Sequence, residues 1–173
     1  MRLYLLMLLL LVPIAGRAQK PSSAPDWKPF DFLAGDWVGK GGGGQGQGSG
    51  NFSFHFDLDN HVLVRKNTAN YPAANGRPAY HHADLMIIYP ADQTNDFSAD
   101  YFDTEGHVIR YRVQPNAPSG TAILVSEPAA NSPRFRLTYK RIASGLEGSF
   151  EIAPPGKPED FKPYLQWTAA HDH

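Results

Sequence analysis

The chain has 173 residues, enough for one domain with a sizeable core. It contains no cysteine, which excludes disulfides, thiol redox chemistry, Cys-ligated zinc and a lipid attached through cysteine. The formal net charge is −1 with no basic stripe, so nucleic acid is excluded as a partner.

Arg2 gives a positive start, Leu3–Ile14 is an almost unbroken apolar run, and Ala15-Gly16-Arg17-Ala18 ends it in small residues. That layout predicts a secretory signal peptide over 1–18, too short to span a membrane comfortably, cleaved after Ala18. The mature protein is then secreted or periplasmic, with no membrane association. Loss of Arg2 and Arg17 leaves 14 Lys and Arg against 17 Asp and Glu, a net charge of −3. Residues 19–25 (QKPSSAP) form a polar tether, and 26–173 form a single domain. Asp26–Leu33 reads as one helical turn closing an end of that domain, with Asp26 as N-cap.

Phe30–Gly50 (FDFLAGDWVGKGGGGQGQGSG) organises the rest. Phe30, Phe32, Leu33 and Trp37 make an apolar entry, and glycine then dominates. A strand opening on Gly35-x-Trp37 suits a small barrel, with Trp37 plugging one end and Gly35 letting backbone pass beneath it. The glycines beyond allow a bent first strand or a rim loop. Gly39–Gly50 lacks the Lys-Ser/Thr of a phosphate-binding loop and no helix follows, so a rim loop is expected in place of a phosphate cradle.

Asn51–Leu58 alternates Phe52, Phe54, Phe56 and Leu58 against Ser53, His55 and Asp57, the period of a strand. Asp59-Asn60 is a two-residue turn, and His61–Asn67 returns as the hairpin partner. Pairing Leu58 with His61 sets Phe56 by Leu63 and Phe54 by Arg65, which turns Arg65 toward the aromatic face; a slip of one residue would reverse this. Tyr71–Pro78 is a loop. Further strands fall at Asp84–Tyr89, Phe97–Phe102, His107–Val113, Ala122–Ser126, Arg134–Lys140, Leu146–Ile152 and Tyr164–Ala169. On His107–Val113 the odd positions, including Tyr111, face inward. About ten strands without a crossover helix give an all-β fold, an antiparallel up-and-down barrel. A sandwich is the alternative architecture. Ten strands leave more interior than side chains fill, so a ligand cavity is expected.

Gly35-Asp36-Trp37 resembles the opening of lipocalin-like (calycin) barrels, and Gly35-x-Trp37-x-Gly39-x-Gly41 that of nitrobindin-type haem-binding barrels and the related DUF1579-type domains. Tyr101-Phe102-Asp103-Thr104-Glu105-Gly106 is similar to the aromatic-Asp-Ser-x-Gly hairpin of DUF1579-type proteins. Pro163-Tyr164-Leu165-Gln166-Trp167-Thr168-Ala169 is similar to their last strand. The resemblance implies a ten-stranded barrel with a pocket. In nitrobindin-type barrels a last-strand histidine holds the haem iron. By spacing this chain has Tyr164 there, and tyrosine can also ligate haem.

Seven histidines raise the question of a metal. His81-His82-x-Asp84 could ligate one, but adjacent His81 and His82 point to opposite sides of a strand, so only one joins Asp84. His55-x-Asp57 shares one face, and His171 and His173 sit on a solvated tail. The spacing is nonspecific, so no metal is assigned. The candidates for catalysis are His55, Asp57, His81, Asp84, Asp100, Asp103 and Tyr101. No Gly-x-Ser-x-Gly elbow exists, and turn roles account for Asp57 and Asp103.

The leading expectation is a barrel that binds a small apolar or amphipathic ligand through Arg65, Phe54, Phe56, Tyr101, Tyr111 and Tyr164, with haem one candidate. The alternatives are an enzyme using inward His, Asp and Tyr of the same cavity, and a scaffold packed solid. A buried Arg65 must stack on an aromatic such as Trp37, pair with an acid, or meet an anionic ligand group.

Overall fold

In the computed structural model the described residues are 25–43, 48–74, 76–91, 96–116 and 119–172. The expected signal peptide and nearly all of the tether lie outside them, as does His173. A 3-10 turn, Lys28–Phe30, precedes ten strands: β1 (Gly35–Gly43), β2 (Gly48–Asp57), β3 (Val62–Tyr71), β4 (Tyr80–Pro90), β5 (Phe97–Asp103), β6 (Val108–Asn116), β7 (Thr121–Ser126), β8 (Arg134–Ile142), β9 (Gly145–Ala153) and β10 (Lys162–His171). Each strand pairs antiparallel with the next, and β1 pairs with β10, so the sheet closes as an up-and-down barrel. Closure leaves no edge strand open to another chain.

This topology sorts the connections between two ends. The β2–β3, β4–β5, β6–β7 and β8–β9 turns share one end with the N-terminal 3-10 turn. That end is closed by aromatics. Trp27 packs on Phe30, Phe56 and Phe97 at ring distances of 5.6, 5.4 and 5.1 Å, and its Nε1 donates to the Asn60 carbonyl at 2.7 Å. Trp37 is buried beside this layer, donating from Nε1 to the Leu33 carbonyl at 2.8 Å and stacking on His171 at 3.8 Å. At Gly35, φ is +122° and a Cβ would come within 3.0 Å of the His171 ring. Glycine meets both demands. Above the plug, Phe54, Leu63, Met86, Ile88, Leu124 and Tyr139 are fully buried.

The β2–β3 register is the expected one, with Phe56 opposite Leu63 and Phe54 opposite Arg65. Asp59 and Asn60 take positive φ, as a tight hairpin requires. Several boundaries differ from expectation. Leu58 leaves the phenylalanine face, because its own φ of 50° ends the strand and exposes it. The helical turn is shorter, with Trp27 at its N-cap, although Asp26 still accepts from the Lys28 amide at 3.2 Å. The glycine run is only partly rim. Gly39 pairs with Gly50 and Gly41 with Gly48 as strand, because β10 and β3 supply ladders on the far sides; residues 44–47 lie outside the described set. His171 belongs to β10, not to a solvated tail, since pairing with Trp37 extends that strand.

Candidate functional site

The end of β1, the start of β2 and the β3–β4, β5–β6, β7–β8 and β9–β10 connections bound the opposite end, which holds a cavity of about 560 Å³. One wall is apolar. Phe135, Leu137, Phe150 and Ile152 come from β8 and β9, and Trp167 from β10. The Trp167 indole lies so close over Gly148 that a Cβ there would overlap it, so the neighbouring strand accommodates the ring only as glycine. At the rim Tyr71 and Tyr80 stack at 4.6 Å. Gly48 leaves room for Tyr71, whose ring would stand 2.7 Å from a Cβ there.

The other wall is polar, and strand register builds it. β3, β4 and β5 alternate so that Arg65, Asn67, His82, Asp84, Tyr101 and Asp103 all face inward. Asp84 and Asp103 stand directly opposite one another, a like-charge pairing that costs stability unless each carboxylate is compensated. Both are. Asp84 pairs with Arg65, and it accepts from Asn67 Nδ2 at 2.7 Å and from His82 Nε2 at 3.1 Å. Asp103 accepts from the Glu105 and His107 amides at 3.1 and 2.8 Å, from His107 Nδ1 at 2.8 Å and from the Tyr101 hydroxyl at 3.3 Å. The turn between β5 and β6 also brings Glu105 Oε2 to 2.8 Å from His82 Nδ1.

Burial works against the Asp84 carboxylate, but Arg65, His82 and Asn67 outweigh it and hold the group below its ordinary range. Burial likewise opposes the Arg65 guanidinium, and Asp84 reverses that effect. The hydrogen bond to Asp84 raises His82 against the effect of its own burial, with Glu105 adding to the rise. Burial pushes up the Tyr101 and Tyr111 phenols, and Tyr139 to about 12. A histidine raised in the folded state gives stability that is complete below its unfolded value of 6.5 and is lost as pH rises through the folded one. In the presence of a chelator, the urea midpoint is therefore expected to fall as pH climbs above about 6.5. Substituting His82→Gln should flatten that decline, and an unchanged slope would mean that Asp84 does not hold the imidazolium.

Arg65 is buried within the barrel, as alternation predicts, but its partner is the Asp84 carboxylate and the ring beneath it is Phe52, at 5.6 Å, not Trp37. Tyr101, Tyr111 and Tyr164 line the cavity. Phe54 and Phe56 do not: Phe54 packs against Phe52 and Tyr139 below it, and Phe56 against Trp27 in the plug. His55 pairs with Asp36 on the outer surface at 3.0 Å. Asp57 caps the Leu58 amide, His81 bonds Asn70, and Asp100 accepts from Tyr89. Of adjacent His81 and His82, only the second joins Asp84. His107, expected inward from the alternation of its strand, does reach the cavity lining. Glu105 and Trp167 were not singled out for the site by sequence, and only the alternation Asp103-x-Glu105-x-His107 through the turn hints at Glu105.

Asp84, Asp103 and Glu105 face the cavity and Arg65 is committed to Asp84, so a haem in the cavity would have to turn its propionates away from this wall. No helix among the described residues is long and apolar enough to cross a membrane. Neither a family model nor a curated protein matches the chain.

Proposed function

We propose that this protein binds a small amphipathic molecule inside the barrel. The apolar body lies against Phe135, Phe150 and Trp167, and a polar head faces His82, Asp103 and Glu105. The observation that carries this reading is the division of one cavity into an aromatic wall and a hydrogen-bonding wall. Its volume of about 560 Å³ favours binding over a solidly packed scaffold. The likeness of the Gly35–Gly41 and Pro163–Ala169 runs to nitrobindin and DUF1579-type barrels supports the same reading. The Arg2–Ala18 pattern supports export, with the work done in the periplasm or beyond the cell.

Mass spectrometry of protein purified without denaturant tests this. The expected result is one small molecule, released on unfolding in near-stoichiometric amount and lost from Ile109→Trp, which puts a large ring on the cavity lining. Finding nothing, or equal release from the filled variant, would overturn the reading.

A second reading, an acid–base enzyme, draws on the Tyr101 hydroxyl lying 3.3 Å from both His82 Nε2 and Asp103 Oδ2 inside the cavity. Under it the co-purified molecule is slowly converted by the wild type, and Tyr101→Phe retains it unchanged.

A further inference from the structure

His82 faces carboxylates with both ring nitrogens: Nε2 meets Asp84 at 3.1 Å and Nδ1 meets Glu105 at 2.8 Å. A neutral imidazole carries one N–H, and a carboxylate only accepts. With Nε2–H donated to Asp84, Nδ1 turns a lone pair toward the lone pairs of Glu105, so a positive centre must lie between them. A proton is one such centre and a metal cation is the other. The surroundings favour the second. A ligand atom from each of His82, Asp103 and Glu105 lies within 4.8 Å of the others. Behind the imidazole, Asp84 is itself locked by Arg65 and Asn67, the arrangement that fixes ring and tautomer in metal-binding histidines.

We infer that His82, Asp103 and Glu105 bind a divalent transition cation of the Zn²⁺ type at the cavity mouth. One imidazole and two carboxylates suit such an ion better than Ca²⁺ or Mg²⁺, which take oxygen alone. Bond lengths of about 2.0–2.2 Å set tetrahedral ligand atoms roughly 3.4 Å apart, so His82 Nδ1 and Glu105 Oε2, at 2.8 Å, must open slightly to admit the ion between them. Glu105, exposed on its turn, can make that adjustment. Three protein ligands leave a fourth position open toward the cavity. The inference deepens the binding function by giving the ligand's polar head a metal to complete, but the ion's own binding needs no organic ligand.

Equilibrium dialysis of the metal-stripped chain against Zn²⁺ alone, with Ca²⁺ in a parallel arm, tests it. The expected result is one Zn²⁺ per chain, retained against excess Ca²⁺ and weakened about tenfold or more in both His82→Gln and Glu105→Gln. The Glu105 substitution touches an exposed turn residue and keeps the test valid if the His82 variant fails to fold. His55→Gln, on the outer His55–Asp36 pair, should leave binding unchanged. No uptake by the wild type would mean that a proton occupies the gap, and uptake undiminished in Glu105→Gln would place the ion elsewhere; either overturns the inference. Release of an amphipathic molecule from chelator-treated protein reads the binding function separately, so the two ideas can fail independently.

Discussion

Asp84→Ala lowers the stability of the barrel by about 3–5 kcal/mol, the usual cost of leaving one member of a buried ion pair without its partner. Arg65 and Asp84 are both almost fully buried in side chain, at 8% and 3% exposure. Little solvent therefore reaches the pair to take over from the lost carboxylate. The substitution also strips acceptors from Asn67 and His82, and each adds an unsatisfied polar group. Removing both charges together, as Arg65→Met with Asp84→Leu, is expected to cost less than Asp84→Ala alone, because the buried guanidinium leaves with its partner and only Asn67 and His82 still lack their acceptor. Urea unfolding of the three variants measures this. A loss below about 1 kcal/mol for Asp84→Ala would mean that Arg65 reaches water, as a surface pair does.

Trp37→Ala should cost a similar amount, about 3–5 kcal/mol, for a different reason. The indole is 3% exposed and fills space between Phe52 and His171, with ring distances of 6.3 and 3.8 Å. Its Nε1 satisfies the Leu33 carbonyl just beyond the 3-10 turn. Truncation opens a cavity and frees the turn that carries Trp27 over the barrel end. Trp37→Phe keeps most of the packing and loses the hydrogen bond, so it should fall between wild type and alanine. Equal midpoints for phenylalanine and alanine would assign the whole effect to the Leu33 contact and none to packing.

The alternation of Phe52, Phe54 and Phe56 and the left-handed Asp59-Asn60 turn were enough to place Arg65 inside, because a two-residue period and a turn fix face and register together. Depth is a different quantity. Phe52 and Phe54 share a face, yet Phe52 borders the cavity while Phe54 is packed solid beneath it. Periodicity reports which way a side chain points, not how far along the barrel axis it sits. The polar wall was hidden for a related reason. Asp84 and Asp103 are nineteen positions apart, and only the β4–β5 register sets them face to face. In the sequence Asp103 looks like a turn residue, and it is one. That it also carries His107 and Tyr101 into a cavity depends on strands the local pattern cannot see. The glycines left a bent strand and a rim loop both open, because composition alone does not separate them: neighbours on both sides impose a ladder on Gly39, Gly41 and Gly50, and Gly48 pairs with Gly41.

The proposed ligand site is the space between the aromatic and polar walls. Fluorescence titration with the neutral apolar probe N-phenyl-1-naphthylamine tests it most directly, because Trp167 lines the cavity and can transfer energy to a bound probe. Saturable binding at one probe per chain is expected, with loss of tryptophan emission. Binding should be abolished by Ile109→Trp inside the cavity and preserved by Val108→Trp, one position away on the exposed face. Nonsaturable binding, or equal binding by the two variants, would contradict it.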